Sequence, residues 1–445
     1  MSRSPYLPDM APAAITAAVA RPVLHPAWGW RWWLGFGVSA ALTLLFVLAV
    51  GWLFYRGVGV WGVDTSNIWG FALANYVWWI GIGNAGTLIS ALLLLTRQRW
   101  RASISRFAEA MTLFAAAMAG LMPILHLGRP WLFYWLVPYP DTMGLLPQWR
   151  SPLVWDFFAI ASYLLFSMMF WYAGALPDFA SLRDRARTRG RQLFYGVLAM
   201  GWRNSARHWR IWRDYYGALA ALGVPLVVSV HSVVGMDFSA TLMPGWAETI
   251  FPPYFVVGAM YSGFAMVVVL AAIFRRALSI PFLITDAHFE VMARILLFCS
   301  LVMTLSYATE WFYSWYSQDP AELDFTRAQF TGPRAPLYAA MLVCNCLVPM
   351  LFWRRALRRS VPVVGGVSLL INLGMWLERV LIVTQTLSLG FLPSQRASYV
   401  PTFWDWAVLL GSLGCFSLLF FLFIRIVPAA SIHEIKEAIR AEAAS

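Results

Sequence analysis

Charge is scarce in this chain: only 12% of its 445 residues are Asp, Glu, Lys or Arg, about half the share of an ordinary soluble domain. With 60% of the residues hydrophobic, a water-soluble globule is excluded. Cysteine is nearly missing too, with four residues, Cys299, Cys344, Cys346 and Cys415. All four fall within apolar stretches, and none makes a C-x-x-C or C-x-x-C-H spacing, so a cluster or c-type haem attachment is not encoded. The six histidines are His25, His126, His208, His231, His288 and His433. Only His126 and His231 lie within apolar runs, too few for a two-haem b-type cytochrome. Neither haem, flavin, iron–sulfur cluster nor metal is expected in this chain. Runs of alternating apolar and polar residues, which a membrane barrel needs, are missing as well.

What is present is a series of long apolar runs, each able to cross the roughly 30 Å hydrocarbon layer as a helix. The spans are expected at 32–55, 66–95, 106–126, 152–175, 215–236, 253–274, 288–316, 335–353, 362–388 and 402–427. The fold class is therefore an all-α polytopic membrane protein of ten transmembrane helices. An even number puts both termini on one side. The thirty N-terminal residues are rich in Pro and Ala, and the first apolar run is too long for a signal peptide.

Arginine decides which side that is. Loops after even-numbered spans hold Arg97, Arg99 and Arg101, nine Arg from Arg183 to Arg213, Arg275 and Arg276, and Arg354, Arg355, Arg358 and Arg359. The opposite loops hold Arg56, Arg129, Arg150, Arg327, Arg334 and Arg396. The positive-inside rule then expects cytoplasmic termini and a bacterial inner-membrane location. The net charge of +12 follows this sidedness and does not indicate nucleic acid. The basic, aromatic segment 176–214 suits anionic lipid headgroups. The loop 127–150, broken by Pro130, Pro138, Pro140 and Pro147, cannot span; it is expected to lie flat at the outer interface or to dock a partner.

A faint internal repeat is visible. NYVWWIGIGNAG (75–86) resembles PPYFVVGAMYSG (252–263), SRFAEAM (105–111) resembles AHFEVMA (287–293), and SPLVWD (151–156) sits where APLYAA (335–340) does. Two four-helix bundles in a parallel repeat are expected, at 66–236 and 237–388. Around them stand a cytoplasmic segment (1–31), a first peripheral helix with its outer loop (32–65), a last peripheral helix (389–427) and a cytoplasmic tail (428–445).

Polar groups at the margin of hydrocarbon are expensive and mark functional sites by default. His126 closes the third span in AGLMPILHLGRPW, and Asp156 opens the fourth in RSPLVWDFF. Each could be a simple helix-end residue. Together, at one membrane face, they suit acceptance of the two protons that leave a quinol on oxidation. Deeper lie Asp237, His231, Glu310 and the adjacent Glu378 and Arg379, with Arg294, Tyr307, Asp405, Asn84 and Thr87 nearby. Glu378 and Arg379 are either an ion pair that fixes helix packing or part of a proton relay with the others.

The segments GIGNAGTLISALLLLTRQRWR, HLGRPWLFYWLVPYP, RSPLVWD, HSVVGMDFSATLMPGW, TGPRAPLY and NLGMWLERVLIV resemble the NrfD-like (polysulfide reductase) family of membrane subunits. Within it the chain looks closest to the larger, ActC-type subunit of alternative complex III. The resemblance implies a subunit, inactive alone, of a quinol-oxidising oxidoreductase complex of a respiratory chain. Menaquinol or ubiquinol would bind near the periplasmic face at His126 and Asp156, with Arg129, Pro130 and Asn84 around it. Electrons would pass to a periplasmic iron–sulfur/molybdopterin-like subunit and on to multihaem and monohaem cytochromes c, beside a second NrfD-like membrane subunit. Proton translocation through Asp237, His231, Glu378, Arg379 and Glu310 is a further implication. A passive membrane anchor without a quinone site is the alternative. The family motif leads one to expect a histidine where Asn84 stands, and asparagine cannot take a proton near neutral pH.

Overall fold

The computed structural model describes residues 4–8, 10–26, 29–136, 149–392, 394 and 396–443. Helices order it throughout, and no strand is present among the described residues. They run α1 (Pro12–Leu24), α2 (Trp30–Arg56), α3 (Phe71–Leu95), α4 (Ser105–His126), α5 (Pro152–Arg185), α6 (Arg189–Leu198) and α7 (Ala206–Ser239). The second half holds α8 (Phe251–Ala277), α9 (Asp286–Ser317), α10 (Pro320–Thr331), α11 (Ala335–Leu342), α12 (Arg355–Arg358), α13 (Val361–Ser388), α14 (Phe403–Ile426) and α15 (Ile432–Ala443). Ten are long and apolar enough to cross a membrane, counting Ala335–Trp353 as one. In hydrocarbon a helix is the one open-ended element that satisfies its own backbone. Proline opens α5, α8, α11 and α13, where its missing N–H costs no bond.

α3 is the central helix. It packs against α4, α7, α8 and α13, while α5 packs on α4 and α7, and α8 on α9 and α13. α2 and α14 pair with each other at the periphery, and α2 turns Leu34, Val38, Leu44 and Leu48 outward. Two glycines make the central contacts possible. A Cβ on Gly86 would lie 2.1 Å from the Ala108 carbonyl oxygen of α4, and one on Gly263 would lie 2.3 Å from the Ala85 Cβ of α3. Close approach of backbones is how membrane helices gain packing without a hydrophobic drive.

α1 touches α15, so both ends of the chain meet at one face, here the terminal face. The segment 176–214 is not the surface loop its charge suggested. Residues through Arg185 prolong α5, α6 follows, and α7 begins at Ala206. At 34 residues each, α5 and α7 are about 50 Å long and stand out past the hydrocarbon. The N-terminal segment is likewise ordered: α1 buries Ile15, Val19, Ala20 and Val23. Of the loop 127–150, Pro130–Leu136 forms a 3-10 turn; residues 137–148, with Pro138, Pro140 and Pro147, lie outside the described residues.

The eighth span departs from a plain α-helix. After α11 comes a π turn at Val343–Leu347 and a 3-10 turn at Val348–Trp353. Pro349 explains it, because its ring nitrogen cannot donate to the carbonyl four residues back, that of Asn345. That carbonyl accepts instead from Tyr261 of α8 at 2.9 Å and from Ser300 of α9 at 2.7 Å.

Candidate functional site

Asp156 is buried near the start of α5, and the Tyr76 hydroxyl of α3 donates to it. Asp237, buried near the end of α7, is the neighbouring carboxyl. The two carboxyls lie within hydrogen-bonding reach of each other, and among the described residues no donor group reaches Asp156 Oδ1 or Asp237 Oδ1. His126, the last residue of α4, stacks on Trp61 with ring centres 6.1 Å apart and planes 9° from parallel. Its Nδ1 is also buried, with no partner among the described residues. No hydrogen bond joins His126 to Asp156 among the described residues. Counting along α3 from the α4 contact at Gly83 and the α5 contact at Tyr76 places His126 roughly 5–10 Å nearer the membrane surface than Asp156. Arg129 is exposed and Pro130 half-buried just beyond.

Asn84 lies roughly 12 Å deeper than Tyr76 along α3. Its side chain meets the Nδ1 of His231, from α7. An imidazole therefore does occupy this level of the bundle, supplied by α7 where α3 carries an amide. Arg379 stands close enough for its charge to act on His231. Thr87 donates to Ser167 at 3.2 Å, and Tyr163 and Thr112 both donate to the Gly83 carbonyl, at 2.8 and 2.7 Å.

Glu378 and Arg379 form an ion pair of 3.1 Å deep in α13. Tyr307 donates to Glu378, and the Asn345 amide donates to Tyr307 at 3.0 Å and to Glu378 at 3.3 Å. The Arg379 guanidinium lies 4.2 Å from the centre of the Phe255 ring. A cavity of about 30 Å³ separates Glu378 from Glu310, with Tyr254, Tyr338 and Gln385 on its wall; that is room for a water or two. No hydrogen bond links this group to His231, or His231 to the Asp156 pair, among the described residues. Of the sequence's proton-relay residues, the structure thus joins Asp237 to Asp156 and Glu310 to Glu378, and leaves His231 with Asn84. Arg294 instead pairs with Glu290 at 2.6 Å near the terminal face. Asp405 caps α14, accepting from the Thr402 and Gly62 amides at 2.8 and 2.9 Å.

A family model described as polysulphide reductase, NrfD, matches residues 59–389. The chain belongs to the NrfD family. Its similar relatives include a Halobacterium salinarum protein named as a candidate membrane component of a dimethyl sulfoxide reductase, 26% identical over 247 residues, covering 55% of this chain and 52% of that one. Another is a component of the selenate reductase of Mesobacillus selenatarsenatis, 25% identical over 258 residues, covering 55% and 57%. The chain spans little more than half the length of these curated relatives.

Several residues of this NrfD-family site were not legible beforehand. Tyr76 looks like a packing aromatic. Asn345 sits in a run of Cys and Leu; its one signal is the proline four residues on. Replacing Asn345 by Leu should leave Tyr307 and Glu378 short of a donor and cost about 1–3 kcal/mol. Unfolding by denaturing detergent checks this, and an unchanged stability would show that Asn345 does not hold the pair.

At the face opposite the termini, the α7–α8 loop brings Glu248 near Glu322 of α10, whose carboxylate accepts from the Gly245 amide at 3.0 Å. Burial, and then the charge of Glu322, pushes Glu248 up to about 7. The folded state thus prefers the neutral acid. Its contribution to stability is full below about 4.5 and is lost as pH rises through about 7. The melting temperature of the Glu248→Gln variant should fall less than that of the parent across this window; parallel curves would contradict the assignment.

The terminal face holds a network that the sequence hid. Arg101 reads as a loop charge and Arg106 as the first residue of the third span, yet both are buried. Arg101 reaches Glu434 of α15 at 2.6 Å and the Tyr216 hydroxyl at 2.7 Å. Arg106 reaches Asp178 at 3.0 Å, Glu109 at 3.2 Å and the Gly174 carbonyl at 2.7 Å. Burial works against the charge on Glu434, but Arg101, then His433 and Arg106, hold its carboxyl below the usual range. The tail helix α15 is thereby locked to α4 and α5.

Proposed function

We propose that this chain is the quinone-reactive membrane subunit of a respiratory oxidoreductase complex, of the kind found in alternative complex III. Quinol is oxidised at the face opposite the termini, which the arginine asymmetry makes periplasmic, with both termini cytoplasmic. The observation that carries this reading is the buried Asp156–Asp237 carboxyl pair, anchored by Tyr76 below His126; among the described residues no donor group reaches Asp156 Oδ1 or Asp237 Oδ1, and His126 Nδ1 has no partner. Buried polar atoms without partners are rare in native proteins, and a ligand with hydroxyls at both ends of a ring suits acceptors at two depths.

Oxidation removes two protons and two electrons from the quinol. His126 and Asp156 accept the protons. The electrons leave to an iron–sulfur centre of a periplasmic partner, and from there to cytochromes c; a second NrfD-like subunit stands beside this one. The relatives' names, both those of reductase components, support membership of a redox complex. The Glu310–Glu378 cavity, with Arg379 between it and His231, supports a proton path through the second half of the chain.

The second reading is a passive anchor for periplasmic redox subunits, which Asn84 favours because an amide exchanges no proton near neutral pH. Equilibrium dialysis of a short-chain quinol against the solubilised complex separates the two. Saturable binding that weakens in His126→Ala supports the quinol site. Absence of saturable binding leaves the anchor.

A further inference from the structure

A second cavity, of about 950 Å³, opens at the terminal face between the last turns of α5, the first turns of α7 and α15. The quinol reading has no use for it. Arg210, Lys436 and Arg440 line it, and none of the three has an ion pair or hydrogen bond among the described residues. Arg213 is already paired with Glu437 at 3.1 Å. Of the remaining carboxylates on the wall, Asp184 is held by Arg183 at 2.8 Å, which leaves Asp214 alone against three cations. Burial, then the charges of Arg185 and Arg440, pushes the Lys436 ammonium below the ordinary lysine range.

His433 supplies an independent sign. It is only 7% exposed and borders the cavity. Its Nδ1 faces Ser431 at 3.1 Å and Asp178 at 3.3 Å, while its Nε2 is buried with no partner among the described residues. Its ring is fixed against Trp209 and Trp212, with centroids 5.7 and 4.7 Å away. A buried polar atom at the wall of a cationic cavity calls for a polar ligand. Beside the mouth, on α7, Ile211 and Tyr215 are 54% and 46% exposed. A free phosphate would use the cations and leave this apolar flank idle, whereas a phospholipid uses both.

We propose that this cavity binds the phosphate headgroup of an anionic phospholipid from the terminal-face leaflet, with its acyl chains along Ile211 and Tyr215. The headgroup meets Arg210, Lys436 and Arg440, and its polar atoms complete His433. Basic pockets on this side of membrane proteins favour such lipids. Bound there, the lipid lies one imidazole away from Asp178 and so from the network that holds α15.

Lys436 is the sole lysine of the chain, which gives a direct readout. The full chain in detergent is acylated with an amine-reactive reagent, and the rate at Lys436 is followed by mass spectrometry. Dioleoyl phosphatidylglycerol should slow that rate several-fold, while dioleoyl phosphatidylcholine and millimolar inorganic phosphate leave it unchanged. In the Arg210→Ala/Arg440→Ala variant, the phosphatidylglycerol concentration giving half protection should rise about 30-fold. Both side chains are exposed, and circular dichroism verifies that the variant keeps its helices. Equal protection by phosphatidylcholine, no protection by phosphatidylglycerol, or protection by phosphate alone would overturn the proposal, the last by assigning a free anion instead.

Discussion

Asp156→Asn should lower quinol-dependent electron delivery by about a hundredfold or more while the complex still assembles. Asparagine has the size and shape of aspartate and can still accept from Tyr76, so the packing at the start of α5 survives. What it loses is the capacity to take a proton. Removing a positioned general base ordinarily costs about 10²–10⁴ in rate, and the loss should fall on kcat more than on KM. Tyr76→Phe is the informative companion. It removes the donor that orients Asp156 and leaves the carboxyl in place, so a smaller loss is expected, about tenfold or less given the modest worth of one hydrogen bond. A wild-type rate in Asp156→Asn would remove Asp156 from the reaction, whatever the binding data say.

The other large effect concerns the terminal face. Arg106→Met strips the guanidinium from Asp178, Glu109 and the Gly174 carbonyl at once. A buried charge left without its partner costs about 3–5 kcal/mol, a large share of a total stability of about 5–15 kcal/mol. Adding Asp178→Asn should recover part of the loss, because removing both members of a buried pair is milder than removing one. Yield of solubilised monomer and its melting temperature report both variants. If the double variant is as poor as the single one, the two side chains do not act as a pair.

These two regions differ in how visible they were before the structure. Eight of the ten spans could be read within about five residues because hydrocarbon demands unbroken apolar runs, while α5 and α7 run nine or ten residues past theirs; Asp156 stood out because it interrupts one such run. Tyr76 did not stand out, since a tyrosine in an apolar helix is usually a packing residue, and only three-dimensional contact turns it into a donor to Asp156; Tyr307 was visible by its depth, but its bond to Glu378 was not. Arg101 was masked by the very rule that fixes sidedness. Arginines between spans are counted as surface charges, and nothing local reveals that Glu434, 333 residues after Arg101, returns to bury it. The basic stretch 176–214 misled for a similar reason: its charge density reads as loop, but two membrane helices are extended through it. Asn84 was a visible departure whose meaning needed His231, 147 residues away, to face it.

The most direct test of the central claim is a map of where a photoreactive azidoquinone attaches. Irradiation of the intact complex, followed by peptide mass spectrometry, should place the label at the end of α4, the start of α5 or the end of α7, around His126, Asp156 and Asp237, and excess unmodified quinone should remove it. Label confined to the second half around Glu310 and Glu378, or no displaceable label on this chain at all, would contradict the account.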